Sequence, residues 1–154
     1  MSAAPAIVAL DLRETPTAER VLDLQRAAYR VEADLIDFDG IPQLHESLAD
    51  LQAAPETWHG ALVGDTIAAA ISHRIEDGVA DIHRLVVDPA FLRRGLARQL
   101  VTHLHTSLPV ESFIVSTGAA NTPARTLYER LGYRLERVED VVPGLAIACY
   151  RRGA

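Results

Sequence analysis

The sequence contains no lysine, one cysteine and no long apolar run. These shortages exclude lysine-based mechanisms, a disulfide within the chain and a membrane-spanning helix. All 15 basic residues are arginine, so mechanisms that need a Schiff-base or nucleophilic lysine are excluded, as is the P-loop. The single cysteine, Cys149, cannot form a disulfide within the chain, and its apolar surroundings favour a small core residue. No apolar run reaches the roughly 18 residues of a membrane-spanning helix, and the first residues lack the pattern of a secretory signal. We therefore expect a cytoplasmic protein without a membrane partner.

What the chain does have is enough core residues for one domain, and an uneven distribution of charge. Hydrophobic residues make up 49% of its 154 residues. Residues 1–81 contain 15 acidic residues and 5 arginines, whereas residues 82–154 contain 6 acidic residues and 10 arginines. The basic half suits a phosphorylated ligand and the acidic half suits a cation such as an amine, although an ordinary solvated surface explains the acidic half equally well. The net charge of −6 argues against a nucleic-acid partner.

Residues 82–104 carry the strongest local signal. A strand over residues 82–87 is followed by an Asp-Pro pair, a short loop and a helix that we expect to start near Arg94. Arg93, Arg94 and Arg98 crowd the start of this helix, and no acidic residue lies in its first turn. A helix N-terminus carries partial positive charge, so each exposed arginine there is unfavourable by about 0.3–1 kcal/mol.

Two interpretations of this arginine cluster stay open. A bound polyanion would explain it, held by free backbone N–H groups, by the helix dipole and by the arginines, with Gly95 letting the backbone come close. A solvated, arginine-rich helix start with a glycine in the turn would explain it as well.

The remaining patterns predict a mixed α/β chain with the order β α α β β β α β α β β. The strand–helix–strand unit over residues 79–117 is expected to be a right-handed parallel crossover, and hairpins make the other pairs antiparallel. One sheet with helices on both faces follows. The strands are predicted at residues 7–13, 58–63, 67–75, 79–87, 111–117, 133–138 and 145–151. The helices are predicted at residues 17–36, capped by Thr17, at residues 42–53, from near Arg94, and after Thr122, which acts as a cap with Pro123 at the first position.

Two places break the local rules of these elements. Leu85, Val86 and Val87 follow one another in a strand, which indicates burial on both faces or a bulge. Residues 32–40 are dense in acid at the C-terminal end of the first helix, where the helix dipole disfavours acids. Either a frayed, solvated helix end or a patch that receives a cationic substrate explains the second departure.

Two segments resemble signatures of the GNAT superfamily of N-acetyltransferases. Residues 92–97, L-R-R-G-L-A, are similar to the acetyl-CoA signature [QR]-x-x-G-x-[GA], except that Leu92 stands at its first position. Residues 121–133, N-T-P-A-R-T-L-Y-E-R-L-G-Y, are similar to the second signature. The resemblance implies one GNAT-like domain over residues 1–154, with a predominantly antiparallel sheet in which a central parallel strand pair splays apart. Residues 1–81 would form the substrate side, and residues 82–154 the acetyl-CoA side.

The resemblance also implies a function. A GNAT enzyme would use acetyl-CoA as cosubstrate and transfer the acetyl group directly, in a ternary complex, to a primary amine of a small molecule or a peptide. The alternative is a non-catalytic CoA-binding module of the same fold that senses or regulates. Edge strands near the C-terminal end could pair between two copies, so a homodimer is a further hypothesis.

Site residues follow from the same resemblance. Backbone groups of the splayed strand would pair with the pantothenyl arm, the arginine-rich loop would hold the pyrophosphate, and Tyr128 would be the catalytic acid beside the sulfur. The residues assigned to acetyl-CoA are Leu85, Val86, Val87, Arg93, Arg94, Gly95, Leu96, Ala97, Arg98, Asn121, Arg125 and Tyr128. Arg125 suits a solvated helix face equally well.

The proton acceptor for the amine is less well defined. His83 lies on the central strand, with Asp81 two residues before it, and is one candidate. Glu32 and Glu46 fall in the segments that cover the substrate side in similar enzymes, so we assign them to substrate binding, and a water molecule could also act through any of these groups. No metal site is expected, because the histidines do not have the spacing of a known metal-ligand pattern.

Overall fold

The computed structural model describes residues 5–153, which form seven strands and four α-helices. In chain order these are β1 (Ala6–Leu10), α1 (Thr15–Ile36), α2 (Leu48–Ala53), β2 (Thr57–Val63), β3 (Thr66–Glu76), β4 (Val79–Val87), α3 (Leu96–Ser107), β5 (Ser112–Gly118), α4 (Thr122–Arg130), β6 (Arg134–Val142) and β7 (Leu145–Gly153). This is the predicted order of elements. None of these helices is both long and apolar enough to cross a membrane.

The strands form one mixed sheet in the order β1-β2-β3-β4-β5-β7-β6. All neighbours pair antiparallel except β4 and β5, which are parallel, as the strand–helix–strand unit predicted. The parallel ladder is short: it starts at Val79 opposite Ser112 and ends at Ile82 opposite Val115. Beyond that pair the two strands no longer bond to each other. The predicted mixed sheet with a splayed central pair is therefore confirmed.

Two hydrophobic cores lie on opposite faces of this sheet. Apolar residues of α1 and α2 pack with Trp58, Ala70 and Val86 on one face. Those of α3 and α4 pack with β-strand residues such as Phe113 and Val115 on the other face. Helices thus cover both faces, and the splay between β4 and β5 opens between the two helical layers.

Helix starts differ from the prediction where proline or glycine sets the backbone. Helix α1 begins before Thr17, because Pro16 occupies the first turn and Glu14 takes the N-cap position. In α4 the cap is Asn121, whose side chain accepts a hydrogen bond from the N–H of Ala124, so the prediction that Thr122 caps this helix was wrong.

The observed starts of the other two helices also differ from the predicted ones. The single helix predicted at residues 42–53 is divided: Pro42–Leu44 form one 3-10 turn, and α2 starts only after Ser47, which forms a capping box with Asp50. Helix α3 starts at Leu96, not at Arg94, because Gly95 adopts a left-handed conformation with φ 76°.

Strand β4 contains a bulge, but two residues before the apolar run that suggested one. Ser72 pairs with Arg84 and His73 with Ile82, so His83 is the extra residue in β4. The bulge places Arg84 and Val86 on the α1 face, where Arg84 is almost completely buried and Val86 joins that core. Leu85 and Val87 pack against the other core.

Candidate functional site

The splay between β4 and β5 forms a small cavity of about 100 Å³. Residues of α1, β4, β5 and α4 line it, so both halves of the chain contribute to this cavity. Five of the predicted site residues lie around it: Glu32, His83, Leu85, Asn121 and Tyr128.

A second, larger cavity of about 870 Å³ adjoins the first. It runs between the C-terminal half of α1, the end of β4, the loop before α3 with the first turn of that helix, and the whole length of α4. Most of its lining is apolar, and three arginines, Arg93, Arg98 and Arg130, lie along it. Of the residues assigned to acetyl-CoA, it brings together Leu85, Val87, Arg93, Ala97, Arg98 and Asn121. Glu32, Leu85, Asn121 and Ala124 line both cavities, so the two form one continuous opening.

The loop that leads into α3 presents backbone donors. Within the described chain, the N–H groups of residues 92–98 donate no hydrogen bond to a protein acceptor. Arg93 and Gly95 both have positive φ, 64° and 76°, and for a non-glycine residue this conformation costs about 1–2 kcal/mol. Left-handed residues at a helix start turn successive N–H groups in one direction and form a concave anion site. The loop therefore has the donors that the polyanion interpretation requires.

The base of this loop is fixed by an ion pair with α1. Arg20 donates to an oxygen of Asp88 at 2.8 Å and to the carbonyl oxygen of Ile67. The other Asp88 oxygen accepts from the N–H of Ala90. Arg20 and this N–H together lower the pKa of Asp88, so the carboxylate is charged throughout the neutral range.

The structure does not bring every predicted cofactor residue to the cavities. Leu96 is a core residue, and the Arg94 guanidinium lies 5.0 Å from the centre of the Phe91 ring. Arg125 donates to the Tyr150 hydroxyl and to the Ala119 carbonyl, which directs it away from the opening. Gly95 contributes its backbone as the N-cap of α3, and the Val86 side chain points into the α1-side core.

Tyr128 lies in the wall of the small cavity and is 3% exposed. Its ring meets that of Tyr133 edge to face at 5.3 Å, and within the described chain its hydroxyl makes no hydrogen bond. Burial raises the pKa of Tyr128, and the nearby Tyr133 and Glu32 add to the effect. The hydroxyl therefore keeps its proton and has no protein acceptor for it.

His83 lies between two carboxylates. Its Nε2 atom is 3.4 Å from an Asp81 oxygen, and its Nδ1 atom is 3.8 Å from a Glu56 oxygen. Burial raises the pKa of Asp81, and the adjacent His83 opposes that shift. Both ring nitrogens thus face acidic groups, although the side chain is 32% exposed and lines the cavity.

A buried ionic network beneath the cavity was not predicted. Arg84, 7% exposed, forms ion pairs with Glu46 and with Glu56, whose side chain is 5% exposed, and also donates to Gln25. Glu56 accepts a further hydrogen bond from Ser72 at 2.5 Å. Glu46, which we assigned to substrate binding, lines neither cavity because Arg84 and Gln25 hold its carboxylate. Arg84 shares its strand with Asp81 and His83, so no signal in the sequence marked it as a buried arginine that needs carboxylate partners.

Glu32 is the acidic residue at the junction of the two cavities. It lies near the end of α1 and, within residues 5–153, takes part in no ion pair. Burial raises the pKa of Glu32, and the side chain of Asn121 opposes the shift. The other acids at the end of α1 are exposed, and Arg30 pairs with Asp34 and Asp39.

Three histidines lie close together away from the cavities: His59 on β2, His73 on β3 and His103 on α3. The rings of His59 and His73 lie 6.0 Å apart, and His103 approaches His59 at 5.2 Å. Across the described ranges, no group of three histidine, cysteine or acidic side chains has a geometry that could hold a metal ion.

Comparison with known proteins defines the family of this fold and site. The model of the acetyltransferase (GNAT) family matches residues 18–133, which include α1, the splayed strands, the loop before α3 and α4. The chain belongs to this family. Its structure is also similar to solved acetyltransferases. The ribosomal-protein-S18-alanine N-acetyltransferase of Escherichia coli superposes with a TM-score of 0.76 at 20% identity, over 97% of this chain and 93% of the other. The PaiA N-acetyltransferase of Thermoplasma acidophilum, in complex with coenzyme A, superposes with a TM-score of 0.77 at 14% identity, over 99% and 100% of the two chains.

Two curated relatives are similar in sequence. The UPF0157 protein YqkA of Bacillus subtilis is 32% identical over 142 residues, which are 92% of this chain and 41% of the relative. The ribosomal protein bS18-alanine N-acetyltransferase of Salmonella typhimurium is 35% identical over 72 residues, which are 45% of this chain and 49% of the relative. The matched regions thus span less than half the length of both relatives.

Proposed function

We propose that the protein is an acetyl-CoA-dependent N-acetyltransferase that transfers the acetyl group directly to a primary amine. The observation that carries the proposal is the continuity of the two cavities. The larger one is lined by Arg93, Arg98 and Arg130 and adjoins the unpartnered backbone donors before α3, and the smaller one is lined by Tyr128. A ligand with a phosphorylated end and a reactive end would fit this arrangement in one orientation.

The residues present fit coenzyme A at both ends. The free N–H groups of residues 92–98 and the side chains of Arg93 and Arg98 suit the pyrophosphate, by backbone donation and by charge. The unpaired edge of β4 beyond Ile82 offers backbone groups of residues 83–87 to the amides of the pantothenyl arm. The apolar lining of the larger cavity suits the rest of that arm.

The chemistry requires an aligned carbonyl, a neutral amine and a proton for the leaving sulfur. Acetyl-CoA supplies the activated acetyl group. A backbone N–H at the open edge of β4, such as that of Val87, would bond the carbonyl oxygen, and one such donor contributes roughly 3–4 kcal/mol in the transition state. Tyr128 donates its hydroxyl proton to the sulfur and recovers one from the attacking nitrogen.

The small cavity, where the acceptor amine would bind, is narrow and bordered by acidic residues. Glu32 and His83 border the small cavity, and Asp81 and Glu56 lie immediately behind His83. A primary ammonium group suits these charges. The relatives that act on an alanine of a ribosomal protein make a peptide with a free N-terminal alanine one acceptor to test, and n-butylamine represents small amines.

The test is a transfer assay with purified protein, acetyl-CoA and four probes: an N-terminal alanine tetrapeptide, Nα-acetyl-lysine amide, n-butylamine and 1,4-diaminobutane. We expect amine-dependent release of CoA thiol and an acetylated product by mass spectrometry for at least one probe. Calorimetric binding of CoA without transfer to any of them would favour a non-catalytic CoA-binding module. Absence of CoA binding by a folded sample would contradict both functions.

A further inference from the structure

The carboxylates around the small cavity differ in what already binds them. Glu56 is held by Arg84 and Ser72, and Glu46 by Arg84 and Gln25. A carboxylate in a close pair with a buried arginine gives up that pair when it takes a proton, and this leaves the arginine buried without its counter-charge. These two carboxylates are therefore poor proton acceptors.

The β4 groups are also poorly placed for the task. An accepting imidazole needs a free nitrogen lone pair directed at the substrate. Both nitrogens of His83 lie within 4 Å of carboxylate oxygens, Asp81 on one side and Glu56 on the other. Asp81 lines neither cavity, and one of its oxygens lies 3.4 Å from the Nε2 atom of His83.

Glu32 has neither limitation. It lines both cavities and therefore lies where the activated carbonyl and the amine would meet. Tyr128, whose hydroxyl would protonate the sulfur, lines the same small cavity as Glu32. No arginine or histidine in the described chain forms an ion pair with it.

We propose that Glu32 is the general base, accepting the proton of the acceptor ammonium group before the amine attacks. This assignment rests on the proposed function. The proton moves from the ammonium nitrogen to a Glu32 oxygen, the neutral nitrogen forms the new C–N bond, and the C–S bond breaks. Tyr128 returns the second nitrogen proton to the sulfur, and Glu32 releases its proton to solvent, so the sum is an amide, a free thiol and one proton.

The charged and titratable groups that line the two cavities together with Glu32 come from four elements and a loop. They are Tyr29 on α1, His83 and Arg84 on β4, Tyr128 and Arg130 on α4, and Arg93 and Arg98 around the start of α3. Burial favours the protonated acid, whereas the side chain of Asn121 favours the carboxylate. A raised pKa brings the proton affinity of a carboxyl group closer to that of the amine it serves, which favours transfer near neutral pH.

The test is the pH profile of kcat/KM for the best acceptor probe, on wild type, Glu32→Gln and His83→Gln. Asp34→Asn, an exposed change two residues further along α1, is the matched control. Calorimetric titration with acetyl-CoA shows that each variant is folded and binds its cosubstrate. We expect Glu32→Gln to lower kcat at pH 7 by about 100-fold or more, to lose the acidic limb of the profile, and to regain activity at high pH, where the amine is already neutral.

Three outcomes decide between explanations. Loss of the acidic limb in Glu32→Gln alone supports the assignment. If Glu32→Gln raises KM and leaves the pH profile unchanged, Glu32 only binds the ammonium group. If only His83→Gln loses the acidic limb, His83 is the general base. Either result overturns the inference and leaves the proposed function intact. A wild type that transfers acetyl to no probe contradicts the proposed function itself.

Discussion

Ile82 lies opposite Val115 in the last pair of the parallel ladder between β4 and β5, and this pair marks the place where the sheet opens. Ile82 still packs into the core beneath α3, whereas Arg84, after the bulge at His83, faces α1. The bulge and the end of the ladder thus coincide. Together they give β4 one unpaired edge directed at the cavities.

The Arg84 network is expected to be a large contributor to stability. Arg84→Met would leave Glu46 and Glu56 buried without their cation, and breaking a buried pair in this way costs about 3–5 kcal/mol. Urea unfolding measures the change. Arg151→Met, which removes an exposed pair with Glu136, is the control and should stay within about 1 kcal/mol of wild type. Equal losses for the two variants would contradict the importance of burial.

Stability should fall with acidification because several histidines are held neutral. Burial and the nearby Arg152 lower the pKa of His105 to about 4, and burial also lowers the pKa of His59 and His73. The unfolded chain takes up protons below about pH 6.5, and the folded protein does so only at lower pH. The free energy of unfolding should therefore decrease from pH 6.5 towards pH 4, measured in urea. His105→Gln should flatten this dependence, and curves parallel to wild type would refute the cause.

Tyr128 should matter for turnover and not for binding. Tyr128→Phe removes one hydroxyl that has no partner in the described chain, so we expect kcat to fall by about 100-fold or more with the Kd for acetyl-CoA unchanged. Tyr133→Phe is the matched control, since Tyr133 is buried beside it but its hydroxyl bonds His105 at 2.7 Å. Steady-state kinetics and calorimetry measure the two quantities. A similar loss of kcat in both variants would assign the effect to packing.

Much of this arrangement was predictable, because it depends on local patterns. Apolar periodicity and turn residues predicted the order of elements, and the alternation that fails after Arg84 pointed to the irregular part of β4. Helix starts were displaced where another residue made the better cap, by one residue at Asn121 beside Thr122 and by six residues at the helix that follows Ser47. Such choices depend on backbone angles that no single residue determines.

The ionic network was not predictable in the same way. Gln25, Glu46, Glu56 and Arg84 are up to 59 residues apart in sequence, and each looks like a surface residue in its own segment. Only the packing of α1 and of the segments on either side of α2 against β4 brings them together. The same packing removes Glu46 from the cavity and leaves Glu32 in it. The sequence does not distinguish these two residues, because both are acids in neighbouring segments.

The most direct test of the account is calorimetric titration of wild type, Gly95→Glu and Gly64→Glu with acetyl-CoA, CoA and ADP. Both glycines have positive φ, with no atom closer than 3.8 Å to an added Cβ, so the two changes carry a similar backbone cost of about 1–2 kcal/mol. Gly64 lies in the β2–β3 turn, whereas Gly95 lies among the free N–H groups.

We predict that wild type and Gly64→Glu bind CoA and acetyl-CoA equally well and in preference to ADP. Gly95→Glu should bind roughly 10- to 100-fold more weakly, which corresponds to losing about one hydrogen bond to a charged group. Unchanged CoA affinity in Gly95→Glu, or equal affinity of wild type for CoA and ADP, would contradict the placement of the cofactor at the start of α3.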